Sequence, residues 1–230
     1  MLEICANSFL SAANAAAAGA DRIELCQELQ VGGITPSWGL LRHVREQLDI
    51  PVYVLIRPRA GNFVYSDDEF AVMKHDIQAC RELGCAGIVS GVLYSDGRLD
   101  VERTRELIEV SGDLSFTFHR AFDVVVNPSE VVEQLIEMGA DRILSSGGET
   151  TAIEGLNRLR DWQQQAGKRL DFMPGGGINS NNASLFQAAG FSAIHTSAST
   201  AIPAEAGIFG SPLSYSDEKK ILKILEILGR

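Results

Sequence analysis

Short apolar runs recur along the chain, and the stretches between them carry hydrophobic residues at helical spacing. The runs fall at residues 2–6, 22–26, 52–57, 86–90, 114–119, 142–146, 169–173 and 192–196. Their length is that of buried strands. The intervening patterns predict helices over Ser8–Ala18, Trp38–Leu48, Asp67–Leu83, Val101–Val110, Ser129–Met138, Thr151–Gln165, Asn181–Ala189 and Asp217–Leu228. Two of these have proline-marked starts, Thr35-Pro36-Ser37 and Asn127-Pro128-Ser129, with the ring suited to a first helical turn.

Four junctions are variants of one motif: Gly19-Ala20-Asp21-Arg22-Ile23, Gly84-Cys85-Ala86-Gly87-Ile88, Gly139-Ala140-Asp141-Arg142-Ile143 and Gly190-Phe191-Ser192-Ala193-Ile194. Glycine just past a helix is the usual left-handed cap, so each motif reads as helix end, cap, strand. Strict alternation of strand and helix requires a parallel sheet covered on both faces. Eight such units in 230 residues predict an α/β fold, a single-domain (β/α)8 TIM barrel spanning residues 1–230. A doubly wound open sheet is the alternative. The absence of a GxGxxG turn after the first strand counts against it.

Side chains on a strand alternate between faces. In Leu2-Glu3-Ile4-Cys5 and Ile23-Glu24-Leu25-Cys26 the aliphatic residues can face the helices, leaving carboxylates and thiols inside. The same rule turns Tyr53, Arg57, Thr117 and His119 inward. Buried charge is costly unless paired, so Glu3 and Glu24 are expected to pair with Arg57 and His119. A purely structural role for such pairs, locking the barrel's polar layers, stays open.

Chemistry in barrels collects at the C-terminal ends of the strands. Glu24, Arg57, His119 and Asp123 fall there and form the candidate catalytic group, with Asp123 a candidate partner for His119. Gly175, Gly176 and Gly177 follow the seventh strand, and Ser197 follows the eighth. Backbone N–H groups of such a turn beside a hydroxyl-rich loop form a candidate phosphate or anion site. A tight turn is the plainer explanation of the three glycines.

Cysteine usage adds a second possibility. Cys5, Cys26, Cys80 and Cys85 form neither CxxC pairs nor a disulfide framework. Cys80 and Cys85 read as small hydrophobic residues. Cys5 and Cys26 end adjacent strands, where two soft sulfurs without a clear third ligand favour Cu(I) over tetrahedral zinc. The formal charge of −10 and pI near 4.9 argue against binding to nucleic acid or an anionic membrane. No apolar run suits a membrane span, and the Ala-rich stretch after Glu3 lacks a basic leader, so a cytoplasmic location is expected.

Several motifs resemble the CutC family of copper homeostasis proteins. They are Leu2–Cys5, Ala20–Cys26, Gly32–Ser37, Ile56–Arg59, Thr117-Phe118-His119-Arg120-Ala121-Phe122-Asp123, Ser146-Gly147 and Met173–Gly177. The resemblance runs from the first residues to about Ser199, while residues 201–216 match poorly. It implies a TIM barrel, a cytoplasmic location and a role in copper handling. It also implies that Cys5 and Cys26 match the cysteines proposed in that family to bind Cu(I).

Two functions follow as expectations. One is a cytoplasmic Cu(I) binder using the paired thiols. The other is a barrel enzyme acting on a small anionic, phosphorylated metabolite. A homodimer is an option suggested only by how often barrels associate.

Overall fold

A computed structural model, describing residues 1–202 and 213–230, arranges the eight expected strands as parallel staves of one barrel. They are β1 (Leu2–Ala6), β2 (Arg22–Leu25), β3 (Val52–Leu55), β4 (Gly87–Ser90), β5 (Ser115–Phe118), β6 (Arg142–Ser145), β7 (Asp171–Pro174) and β8 (Ile194–Thr196). Hydrogen-bonded neighbours run in the order β7-β6-β5-β4-β3-β2-β1-β8. A parallel bridge between Gly175 and His195 joins the two ends. Glycine makes that seam possible, because a Cβ on Gly175 would stand 2.6 Å from Leu144 Cδ1 and 3.3 Å from His195 Cβ. The fold is the (β/α)8 barrel, and the bridge that closes the strand order from β8 back to β7 excludes an open doubly wound sheet.

The outer layer comprises α1 (Phe9–Ala18), α2 (Trp38–Gln47), α3 (Asp67–Glu82), α4 (Val101–Ser111), α5 (Pro128–Met138), α6 (Leu156–Ala166), α7 (Ala183–Ala188) and α8 (Glu218–Ile227). Their boundaries follow local chemistry. Ser37 accepts from Leu40 N at the start of α2, and Ser66 with Glu69 forms a capping box on α3. Among the described residues no helix is long and apolar enough to cross a membrane.

Alternation holds throughout the sheet. Leu2, Ile4, Ile23, Leu25, Val52, Val54, Phe116 and Phe118 are buried against the helices. Each such side chain contributes about 1.5–3 kcal/mol on burial. That apolar layer supports an interior that is unusually polar. Cys80 and Cys85 lie within the same outer core, both free thiols.

The repeated Gly-Ala-Asp-Arg-Ile motif performs one task twice. Asp21 accepts from Leu2 N at 2.6 Å and Asp141 accepts from Phe116 N at 2.7 Å, each tying a strand start to its neighbour. The following arginines, Arg22 and Arg142, are both buried.

Two features depart from the expected pattern. Helix α6 begins at Leu156 rather than at Thr151, because Thr151–Glu154 forms a self-capped turn. The segment beyond β8 also forms a hairpin, β9 (Ser199–Ile202) with β10 (Leu213–Ser216). Polar residues at the start of the Ala-rich stretch hold it: Asn7 Nδ2 donates to Ser214 O, Asn14 Nδ2 to Ser216 O, and Ser216 N to Ser11 Oγ. The poorly matching stretch 201–216 is therefore in part a strand pair, and residues 203–212 lie outside the described residues.

Candidate functional site

Glu3 is fully buried at the centre of the barrel's charged interior. Its Oε2 accepts from Arg22 Nε at 2.5 Å and its Oε1 from His195 Nδ1 at 2.7 Å. Burial alone would raise its carboxyl. The hydrogen bond from His195 and the charges of Arg22, His195 and Arg142 outweigh this and hold it below the ordinary value. His195 is the counterpart: burial opposes its charge, but Glu24, Cys5 and Glu3 hold its imidazolium well above the usual range. Arg22 also stacks over Tyr53, 3.9 Å from Cζ to the ring centroid. Glu3 is thus paired with Arg22 and His195, not with Arg57 and His119. Arg22 occupies the β2 position directly beside Glu3, whereas Arg57 and His119 lie past the ends of their strands.

Above this layer opens a pocket of about 460 Å³, lined among others by Cys5, Glu24, Arg57, His119, Arg120 and His195. On the β1–β2 side, Cys5 Sγ lies 3.6 Å from Cys26 Sγ and 3.8 Å from Glu24 Oε1. Ligand atoms of Cys5, Glu24 and His195 all fall within 4.8 Å of one another. Cys26 is fully buried behind Cys5 and does not line the pocket. The hydrogen bond with Cys26, then burial and the adjacent carboxylate, push the Cys5 thiol well above its usual value. Burial likewise pushes Glu24 up to about 7, with His195 opposing the shift and Glu3 adding to it. Glu24 Oε2 has no hydrogen-bond partner among the described residues.

On the β3–β5 side, Arg57 bonds to backbone alone. Its Nη1 donates to Val31 O at 2.9 Å and Gly33 O at 2.7 Å, and its Nη2 to Gly61 O at 2.7 Å. Among the described residues no carboxylate pairs with it. His119 Nδ1 accepts from Ala121 N at 3.2 Å, which places its proton on Nε2. That Nε2 is buried without a partner among the described residues. Burial, reinforced by Arg57, pushes this imidazole down to about 3, so it is neutral near pH 7.

Asp123 does not partner His119. It sits in the 3-10 turn Arg120–Val124, which directs it to the loop after β6. There it accepts from Ser145 Oγ at 2.6 Å, from Ser146 N and Gly148 N at 3.0 Å, and from Arg120 Nε at 2.7 Å. Asp123 organises a loop, and among the described residues no carboxylate pairs with His119.

The glycine turn divides. Gly175 serves the seam and donates its N–H to Ser145 O at 2.9 Å. Gly176 and Gly177 line the pocket, and their N–H groups meet no acceptor among the described residues. Ser197 also lines it and donates to Ser199 Oγ at 3.2 Å. Helix α7 has six residues and starts at Ala183, so no helix terminus reinforces the turn.

Three contributors lie outside the candidate site residues: His195 and Arg120, which the sequence places among the polar strand ends, and Arg22. His195 and Arg22 were accessible, since alternation from Ile194 and Ile23 turns both neighbours inward. Arg120 was not, because its approach to Gly176 depends on the irregular turn after β5. A Cβ on Gly176 would meet Arg120 Nη1 at 3.6 Å.

Fold and site together define a TIM barrel whose mouth joins a thiol–imidazole–carboxylate cluster to an arginine–histidine wall. The CutC family model matches residues 1–200, and the chain belongs to the CutC family. A CutC family protein of Edwardsiella ictaluri is 46% identical over 202 residues, covering 88% of this chain and 80% of the relative. One from Xanthomonas campestris pv. campestris is 44% identical over 205 residues, covering 89% and 85%. Among solved structures, one described as the copper homeostasis protein CutC from Streptococcus agalactiae superposes with a TM-score of 0.81 at 33% identity. It covers 86% of this chain and 98% of that one. Thiamine phosphate pyrophosphorylase from Pyrococcus furiosus, at 15% identity and a TM-score of 0.63, shares the fold alone.

Proposed function

We propose that this protein is a cytoplasmic copper homeostasis protein that binds Cu(I) at Cys5 and Cys26, with His195 as a further ligand. The observation that carries this reading is the convergence of the two sulfurs at 3.6 Å, with Cys5 also grouped with the His195 imidazole and the Glu24 carboxylate. Paired thiolates are soft donors and favour Cu(I). With His195 and Glu24 grouped with Cys5, the preference rests on the softness of the sulfurs, and zinc becomes the competitor.

The donor set fits a metal in a second respect. Glu3 engages His195 Nδ1, which also lies 4.0 Å from Glu24 Oε2. An ion would therefore take Nε2 by displacing its proton, with the Glu3 carboxylate behind the ligating ring in the usual outer-shell arrangement. Cys5 lines the pocket and Cys26 lies behind it, so an ion would enter past Cys5. The free thiols suit a reducing compartment.

Competition against a Cu(I)-selective chelator tests the proposal. One tight site is expected in the wild type, lost in the Cys5→Ser/Cys26→Ser double variant and retained against excess zinc. Undiminished copper affinity in the double variant, or displacement by zinc, would overturn it.

A further inference from the structure

Among the described residues the cations of the barrel interior are matched, with one exception. Arg22 has Glu3, Arg142 has Asp171 at 3.5 Å, Arg120 has Asp123, and His195 lies between Glu3 and Glu24. Arg57 is 5% exposed, lines the pocket, and among the described residues has only carbonyl partners. Buried charge without a counter-ion is strongly unfavourable, so this position asks for an anion. Beside it, His119 offers a buried N–H with no acceptor, a group whose desolvation is otherwise uncompensated.

We propose that the mouth pocket binds a small organic oxyanion, a carboxylate or phosphate ester, whose charged oxygens meet Arg57 and the Nε2–H of His119. The free N–H groups of Gly176 and Gly177 line the same cavity and would take further oxygens of the ligand. Leu55, Leu144 and Phe63 provide apolar wall for its organic body. The Phe63 ring packs 4.8 Å from the His119 ring and 5.1 Å from Arg57 Cζ, shielding both groups from water. Access to Nε2 therefore requires that ring to swing aside. His119 serves here as a neutral donor rather than a base, since its other nitrogen already accepts from Ala121 N. None of these groups belongs to the thiol cluster, so oxyanion binding and copper binding can fail separately.

The test uses the full chain treated with a Cu(I) chelator, followed by thermal shift and calorimetry. One arm offers glycolate and pyruvate at millimolar concentration. The other offers inorganic phosphate and glycerol 3-phosphate. Saturable stabilisation by one arm is expected and identifies the head group. Affinity should fall about 10- to 100-fold in His119→Phe, the loss of one hydrogen bond to a charged group. His119→Gln, which keeps an N–H, should bind within a few fold of wild type, and so should Cys5→Ser/Cys26→Ser. Stabilisation by neither arm, or equal affinity in a folded His119→Phe, would overturn the proposal.

Discussion

The two sides of the barrel interior treat buried charge in opposite ways. Around β1, β2 and β8, each oxygen of Glu3 is bonded, one by Arg22 and one by His195, although Glu24 Oε2 beside them has no partner among the described residues. Around β3 and β5, Arg57 has no carboxylate among the described residues and His119 Nε2 has no acceptor. Both sides are equally sequestered from solvent, with Glu3, Arg57 and His119 each at 5% exposure or less. Burial therefore does not distinguish scaffold from site here. Completeness of pairing does: a closed network can maintain the fold by itself, whereas an open one is unfinished without a ligand.

The largest effect expected from breaking this contrast is on the closed side. Glu3→Gln leaves Arg22 and His195 without their central anion and should cost about 3–5 kcal/mol in urea unfolding. A loss below about 1 kcal/mol would show that the network is dispensable.

The open side should instead reveal itself through pH. His119 titrates at about 3 in the folded chain against an ordinary 6.5, so the unfolded chain binds its proton more tightly. Its contribution to stability is complete above the ordinary value and erodes as pH falls through the window between the two. Near pH 5 the expected loss is about 2 kcal/mol relative to pH 7, and His119→Gln should remove it. Urea midpoints at both pH values check this. A wild-type loss matched in the variant would assign the sensitivity to other groups.

The smallest effect sets the baseline. Arg42 and Glu46 form an exposed pair on α2, 53% and 52% accessible. Arg42→Ala should change stability by less than about 0.5 kcal/mol in the same unfolding assay.

Much of this was legible in the sequence because the apolar alternation and the glycine-capped repeats are local signals. They placed the eight strands and turned Glu3, Glu24, Arg57, Thr117 and His119 inward. Which charge met which was not legible. Arg22 lies beside Glu3 only because of the β1–β2 register, and His195 reaches it only when β8 closes against β1. Asp123 seemed a partner for His119 from its spacing, but the intervening 3-10 turn carries it to Ser145 and Ser146. The β9–β10 hairpin was missed because its strands are short and largely exposed, without the apolar alternation that marks the barrel staves.

The seam between β1 and β8 also bears on how the molecule is made. Glu3 and His195 are 192 positions apart, and the thiol cluster draws on the same two strands together with β2. Nascent chain emerging with Cys5 and Cys26 must therefore wait for nearly the whole polypeptide before His195 can join them. Contacts of such long range form late, after the entropy of ring closure has been met. An ion bound there would reward only the last step of folding, slowing the reopening of the ring far more than it hastens assembly. The cluster would thus act as a clasp, fastened only after the barrel has closed.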